Sequence, residues 1–259
     1  VHNHLDWHDP ADWLEAGQGY IYVARLDGEV AGLMGVSDPL NATAWLRLIA
    51  LANPAPAKEI LPLLWNAVRS DLMKLAVRAV YVLIIDDWLR EYVRFLGFSY
   101  DEEIITLRRS GTRLPEPNNK PAVVIRPAEH EDILTQTTID QSSFVAPWQM
   151  MEMDLRFARK IAAVHTVAVL DNEIVGYQLS TQYRQSGHLA RLAVAPDMQG
   201  FGIGAALLDD MIRRFLRRRV RTVTVNTQES NVRSQRLYEQ YGFRRNGYDL
   251  PVYTINLTH

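Results

Sequence analysis

Cysteine is absent from all 259 residues, which excludes disulfides, thiolate metal sites and any cysteine acyl-enzyme. No apolar run approaches the roughly 20 residues that span a bilayer. The opening VHNHLDWHDP has neither the basic nor the apolar part of a signal peptide. Charge of one sign is also scarce: 28 Lys and Arg against 30 Asp and Glu leave a formal net charge of −2, so no global field draws the chain to nucleic acid. No nucleic-acid partner and no membrane partner are therefore expected, and the cytoplasm is the default compartment. What is present is ordinary for a globular protein, with 47% hydrophobic and 22% charged residues. The length allows one large domain or two small ones.

The chain repeats itself. VARLDGEVAG at 23–32 returns as VAVLDNEIVG at 167–176, an offset of 144. The same offset aligns Arg47-Leu48 with Arg191-Leu192 and Leu63-Leu64 with Leu207-Leu208, and Gly97-Phe98 meets Gly242-Phe243 after a one-residue slip. One spacing held over so long a span predicts two copies of one fold; the plainer alternative is a pair of similar hairpins. Ser110 to Pro121, with three prolines and two asparagines, reads as a linker. The expected domains are 1–112, a linker at 113–121, and 122–259. In the second copy the pattern predicts a strand at 122–126, helices within 129–142 and 146–160, and strands at 163–170, 173–184 and 188–195. A helix at 203–219, a strand at 221–227, a helix at 231–241 and two closing strands follow. This is an α/β (α+β) arrangement, a central twisted mixed sheet flanked by helices. The first copy starts late and is expected to be truncated, although VRAVYVLII at 77–85 still reads as a buried strand.

The most informative stretch is LARLAVAPDMQGFGIGAALL at 189–208. A buried strand meets Pro196, a glycine-rich turn follows, and a helix opens at Ile203. At such a helix N-terminus the first N–H groups lack intrahelical partners and the dipole is positive. Gly200, Gly202 and Gly204 let a phosphate approach the main chain. The turn also satisfies Gly-x-Gly-x-x-Ala through Gly200, Gly202 and Ala205. A dinucleotide fingerprint should follow the first strand of its domain and precede an acidic strand end. Here it follows the fourth strand, and the next ends Val225-Asn226-Thr227, so that reading is rejected.

Gln199-Gly200-Phe201-Gly202-Ile203-Gly204 after Leu192 to Pro196, then Asn231, Leu237-Tyr238 and Gly242-Phe243, resemble the two motifs of the GNAT superfamily of N-acetyltransferases over residues 123–259. The resemblance implies two such domains in tandem and acetyl-CoA as the acetyl donor, with no metal. In that family the strands matching 188–195 and 221–227 splay at a bulge, and the pantetheine arm fills the gap as an added strand would. The resemblance places the pantetheine on the main chain of Leu192, Ala193 and Val194. It places the pyrophosphate on the turn of Gln199, Gly200, Phe201, Gly202, Ile203, Gly204 and Ala205, with Asn231, Ser234 and Tyr238 completing the cofactor set. The N–H of Leu192 becomes the donor to the thioester carbonyl.

An attacking alkylamine titrates near pH ~10, so some group must take its proton. His188 stands where many relatives carry a glutamate; alternation puts it on one face with Ala190, Leu192 and Val194. It either serves as the base or merely starts the strand facing solvent. Where other relatives use a glutamate on the next strand, this chain has Asn226. Tyr238 stands at the family's acid position, and is otherwise a core tyrosine on an amphipathic helix. Ser230 is a candidate helix cap. Arg213, Arg214, Arg217, Arg218, Arg219 and Arg221 read as a solvated helix end, with a contact to the 3′-phosphate of coenzyme A as the alternative. Trp148, Met150, Met151 and Met153 line a substrate mouth or simply pack. His2, His4 and His8 with Asp6 and Asp9 match no metal spacing.

In the first copy the turn is Asn53-Pro54-Ala55-Pro56-Ala57, without glycine, and its prolines remove amide donors. Arg94 or Val93 stands at the place of Tyr238. The first copy is expected to have lost the cofactor, a layout similar to that of mycothiol synthase. The function implied is acetyl transfer to a primary amine of a small molecule or peptide, by direct attack in a ternary complex, since no cysteine can carry the acetyl group. The alternatives are a non-catalytic acyl-CoA-binding or sensing protein, and a small-molecule acetyltransferase of the mycothiol-synthase type.

Overall fold

A computed structural model describes residues 2–5, 19–53, 55–115 and 121–257. Pro54, the 116–120 part of the expected linker, and Asp6, His8 and Asp9 lie outside the described residues. Each copy of the repeat builds the same hairpin. In the first, β2 (Tyr20–Leu26) and β3 (Glu29–Val36) join through Asp27-Gly28; in the second, β8 (Val164–Leu170) and β9 (Glu173–Tyr183) join through Asp171-Asn172. The four turn residues have φ of 51°, 87°, 47° and 67°, the two-residue turn whose twist suits antiparallel strands. Both hairpins slip register at the same place, after Ala24 and after Ala168. Bulges at matching positions make the sequence repeat a structural one.

The chain divides into two compact units, one up to Glu103 together with the segment from Leu250, the other Ile104–Asp249. In the first unit the sheet order is β2-β3-β4-β5-β13, with β4 Thr43–Leu51, β5 Ala79–Leu83 and β13 Leu250–Asn256. Helix α1 (Ala57–Lys74) buries Ile60, Leu61, Leu64, Val68 and Leu72, the stripe of an amphipathic helix, and packs on β2 and β3. Helix α2 (Asp87–Phe95) buries Leu89 and Val93. Among the described residues no helix precedes β2; residues 6–18, where a counterpart of the helix pair that opens the second copy would stand, lie outside them.

The closing strand departs from the expected boundaries. It was expected to end the second copy at 122–259, yet β13 lies antiparallel to β5, with Val252 opposite Leu83. In the second unit the edge of β11 (Thr222–Gln228) is taken by the later half of β6 (Ser99–Ser110), with Val225 opposite Leu107. Strand partners are a long-range choice that local periodicity does not encode. Buried Arg109 fixes this half of β6, donating to the carbonyls of Tyr241 (2.8 Å), Gly111 and Arg113.

The second unit's sheet runs β6-β11-β10-β9-β8-β7, with β7 Val124–Pro127 and β10 Ser186–Val194. Helices α3 (Ile133–Ser143) and α4 (Glu152–Ile161) cover one face, where Ile133, Ile139, Leu155 and Tyr177 cluster. Helix α5 (Ile203–Arg217) covers the other, so a Cβ on Gly176 would meet Leu207. Adjacent residues on β9 thus point to opposite layers. Helix α6 (Val232–Gln240) and the short β12 (Arg244–Arg245) complete the unit. Among the described residues no helix is long and apolar enough to cross a membrane.

Two outcomes follow from this packing. A Cβ at Gly187 would lie 2.7 Å from the fully buried ring of Phe215. Gly187→Ala is expected to destabilise by about 1–3 kcal/mol, read as a lower urea midpoint; an unchanged midpoint would mean the ring has room to move. His165 Nε2 pairs with Gln136 Oε1 at 2.7 Å. Burial, aided by the charge of Arg159 and opposed by Asp132, pushes the His165 pKa down to about 4. Between that value and the unfolded value near ~6.5, only the unfolded chain binds the proton. Stability is therefore complete above that window and falls as pH drops through it, by roughly 3 kcal/mol in all. His165→Gln should flatten the fall, as measured by urea unfolding from pH 4 to 7.

Candidate functional site

The parallel strands β10 and β11 pair only at their start, Ser186 to Leu189 opposite Thr222 to Val225. Beyond that they part, because β10 bulges: Leu189 faces Ser180 and Arg191 faces Leu179, leaving Ala190 extra. Ala195 donates its amide to Val175 at 2.9 Å, so by alternation Ala193 and Arg191 also turn their main chain toward β9. Leu192 and Val194 turn theirs into the gap. There the Val194 carbonyl accepts from Ser143 Oγ (2.9 Å) and Gln199 Nε2 (3.0 Å). Of the three residues expected to offer main chain to an extended ligand, Leu192 and Val194 are so oriented. Ala193 is not, because the pleat gives its N–H and C=O to the sheet.

A cleft of about 770 Å³ opens from this gap, within the usual range of small-molecule sites. Leu192, Ala193, Val194, Gln199, Gly200, Gly202, Ile203, Gly204 and Ala205 line it on one side, and Asn231, Ser234 and Leu237 on the other. Gly200 and Gly202 have φ of +94° and +84°, a conformation that favours glycine, and Gly202 is the N-cap of α5. Gly204 is different: a Cβ there would make only ordinary contacts at 3.6 and 3.8 Å. The amides at the start of α5 have no intrahelical partner and sit at the positive end of the dipole, which fits a pyrophosphate. Phe201 is 65% exposed and outside the lining. Gln199 braces the turn, its Nε2 on Val194 and its Oε1 accepting from Arg233 Nη1 at 2.5 Å.

On α6, Asn231 caps the helix by accepting from the Ser234 amide at 3.1 Å. The cap is therefore Asn231 and not Ser230, since only the residue at the N-cap position can reach that amide. Tyr238 stands just behind the wall, 5% exposed, with its ring 5.8 Å from that of Phe243. Burial pushes its pKa up to about 12, while the charge of Arg191 and a hydrogen bond with Ser234 pull the other way. At neutral pH the phenol holds its proton.

The bulge also moves His188. Directly opposed residues share a face, and His188 faces Thr181 while Arg191 faces Leu179 and Ala193 faces Tyr177. His188 therefore shares the α3 side with Arg191 and Ala193, whereas Leu192 and Val194 point to the α5 side. The expected single face with Leu192 and Val194 fails because one inserted residue reverses the alternation. His188 Nδ1 lies 2.9 Å from Thr224 Oγ1, and the cleft wall does not include it.

Sequence reasoning missed the buried charge beside the gap. Asp140 is fully enclosed and takes two hydrogen bonds from Arg191, both 2.7 Å. It also accepts from Tyr177 OH at 2.5 Å and from the Met150 amide at 2.8 Å. Arg191 donates to the Trp148 carbonyl and lies 3.6 Å over the Phe144 ring. Burial works against the guanidinium charge, but the bonds and charge of Asp140 outweigh it and keep the pKa above its ordinary value. Burial likewise holds the Tyr177 phenol well above its ordinary range, with the Asp140 charge adding to it. Trp148 and Met150 thus belong to this cluster, while Met153 is 53% exposed. Of the arginines at the end of α5, Arg213 pairs with Asp209 and Arg214 with Asp210, and Arg218 donates to the Ala163 carbonyl. The arginines on the cleft are Arg233 and Arg236, and their i, i+3 spacing on α6 was the available signal.

The acetyltransferase (GNAT) family model matches residues 133–243. An uncharacterized N-acetyltransferase of Methanocaldococcus jannaschii is 28% identical over 123 residues, 47% of this chain and 78% of its own. A GCN5-related N-acetyltransferase from Sphaerobacter thermophilus shares the fold with a TM-score of 0.60 at 20% identity, covering 90% of this chain and 79% of that one. A tandem GNAT protein from the clavulanic acid biosynthesis pathway does so with a TM-score of 0.59 at 17% identity, covering 92% and 83%.

The Asp140–Arg191 pair sets a further expectation. Arg191→Gln leaves a buried carboxylate without its cation and should cost about 3–5 kcal/mol in urea unfolding. Replacing both members, Arg191→Met with Asp140→Leu, should recover much of that loss. A cost under about 1 kcal/mol for the single change would show that the pair is not a brace.

Proposed function

We propose that the chain, whose residues 133–243 match the acetyltransferase (GNAT) family model, moves an acetyl group from acetyl-CoA to a primary amine of a small molecule or peptide. The carrying observation is that one cleft combines an open strand edge with a glycine turn at a helix N-terminus. The main chain of Leu192 and the amide of Val194 would hold the pantetheine arm as a sheet holds an added strand. The amides opening α5 would hold the pyrophosphate, with Arg233 and Arg236 adding positive charge at the mouth. Acetyl-CoA supplies an activated thioester.

This chain's own groups do the rest. The Leu192 amide donates to the carbonyl oxygen as negative charge develops there. His188, on the α3 face and off the cleft wall, takes the amine proton through water. Nitrogen binds the carbonyl carbon as the carbon–sulfur bond breaks, and Tyr238 delivers a proton to the thiolate by way of the Ser234 hydroxyl. Attack is direct in a ternary complex, because the chain has no cysteine to carry the acetyl group.

Coenzyme A release, assayed against a panel of amines beside acetyl-CoA binding, tests this reading. Turnover on at least one amine is expected; saturable binding with no turnover on any would favour an acyl-CoA sensor. Tyr238→Phe should lower kcat on the order of 10²-fold while KM for acetyl-CoA stays near its wild-type value. Unchanged kcat would remove Tyr238 from the proton path. Ser234→Ala should lower kcat in the same direction if its hydroxyl relays the proton.

A further inference from the structure

The strands of the first unit that correspond to β10 and β11 are β4 and β5. They are also parallel and pair over three residues, Thr43 to Trp45 opposite Ala79 to Tyr81. β4 also carries an extra residue, Arg47, because Leu46 faces Val36 and Leu48 faces Gly35. Ala52 donates its amide to Ala31 at 3.0 Å, as Ala195 does to Val175. These pairings place Leu48 to Leu51 where the second unit has Arg191 to Val194, one residue out of step with the sequence offset. Alternation then turns the main chain of Ile49 and Leu51 into the gap, as it does for Leu192 and Val194.

In the first unit this gap is filled. Strand β1 (His2–Leu5) runs antiparallel along β4, with His2 opposite Leu51 and His4 opposite Ile49. β3 already holds one edge of Leu46 to Leu51, so β1 lies on the edge that β5 has left. The other parts of an acyl-CoA site are missing there. Helix α1 is capped by Pro56 without a side-chain bond, and proline offers no amide to a phosphate. Phe98 donates to the Val93 carbonyl at 3.0 Å, as Phe243 does to Tyr238. That match assigns Val93, and not Arg94, to the place of Tyr238.

We infer that the gap between β4 and β5 is a binding site for an extended peptide segment, filled by the chain's own residues 2–5, whichever ligand the second unit takes. An open strand edge binds any chain that offers alternating N–H and C=O groups. With its phosphate turn and its tyrosine gone, the first unit keeps only that backbone recognition, and a peptide strand satisfies it.

The test uses the whole chain with residues 2–5 deleted, and a synthetic peptide of residues 1–8 as probe. Amide exchange at Ile49 and Leu51 should quicken by about tenfold or more in the variant. The peptide should restore protection, and acetyl-CoA should not. Labelled peptide should bind the variant with one equivalent and the intact chain about tenfold more weakly or worse. Exchange at Ile49 and Leu51 unaffected by the deletion, or protection restored by acetyl-CoA, overturns the inference. If the deletion variant does not fold, His4→Pro in the full chain, which removes the N–H facing Ile49, should quicken exchange at Ile49 while Asn3→Ala does not; equal exchange in both overturns it. Protection of residues 192–205 by acetyl-CoA, followed in the same samples, reports on the second unit separately, so the two readings fail independently.

Discussion

A strand edge that opens inside a folded chain presents amides and carbonyls that need partners, and both halves of this protein are organised around such an edge. In each, two parallel strands pair for three or four residues and then separate after a one-residue bulge. The bulge ends the ladder and re-aims the strand. In the second unit the freed groups of Leu192 and Val194 face a cleft. In the first, the corresponding groups of Ile49 and Leu51 face the strand His2–Leu5. One backbone geometry opens on a cleft in one unit and on a strand in the other.

Around the open cleft the side chains act mostly on the backbone. Gln199 and Ser143 both hold the Val194 carbonyl, so the far end of the gap has a fixed position. Asn231 caps α6, and Tyr241 OH donates to the Ala205 carbonyl at 3.0 Å, which ties the end of α6 to the start of α5. On the other face, Arg191 and Asp140 join β10 to α3 and to the 144–150 loop. A buried ion pair adds little net stability against a well-packed apolar alternative, but it penalises heavily any arrangement that separates its members. Its place one residue from Leu192 holds the bulged strand in a single position.

Much of this was legible in the chain, for local reasons. The hairpin turns, the strands at 163–170 and 173–184, and the glycine turn before Ile203 are governed by residues within a few positions of one another. The structure places them within a residue or two. Gly200 and Gly202 take the positive φ that their residue type foreshadowed. The face of His188 was misjudged because alternation assumes an unbroken strand, and the Ala190 bulge is set by pairing with β9. Arg191 reads in sequence as one arginine in an apolar strand; its partner Asp140 is 51 residues away.

By itself, the sequence determined the element order, the duplication, the glycine turn at 199–205 and the absence of glycine from the matching stretch of the first copy, because each rests on local spacing or residue type. Tertiary structure alone decided that β13 pairs with β5 while β6 pairs with β11, that His188 turns away from Leu192, and that residues 2–5 lie along β4. Those outcomes are choices among strand edges, and an edge offers the same N–H and C=O groups whatever its residues are. Only the folded arrangement determines which segment reaches it.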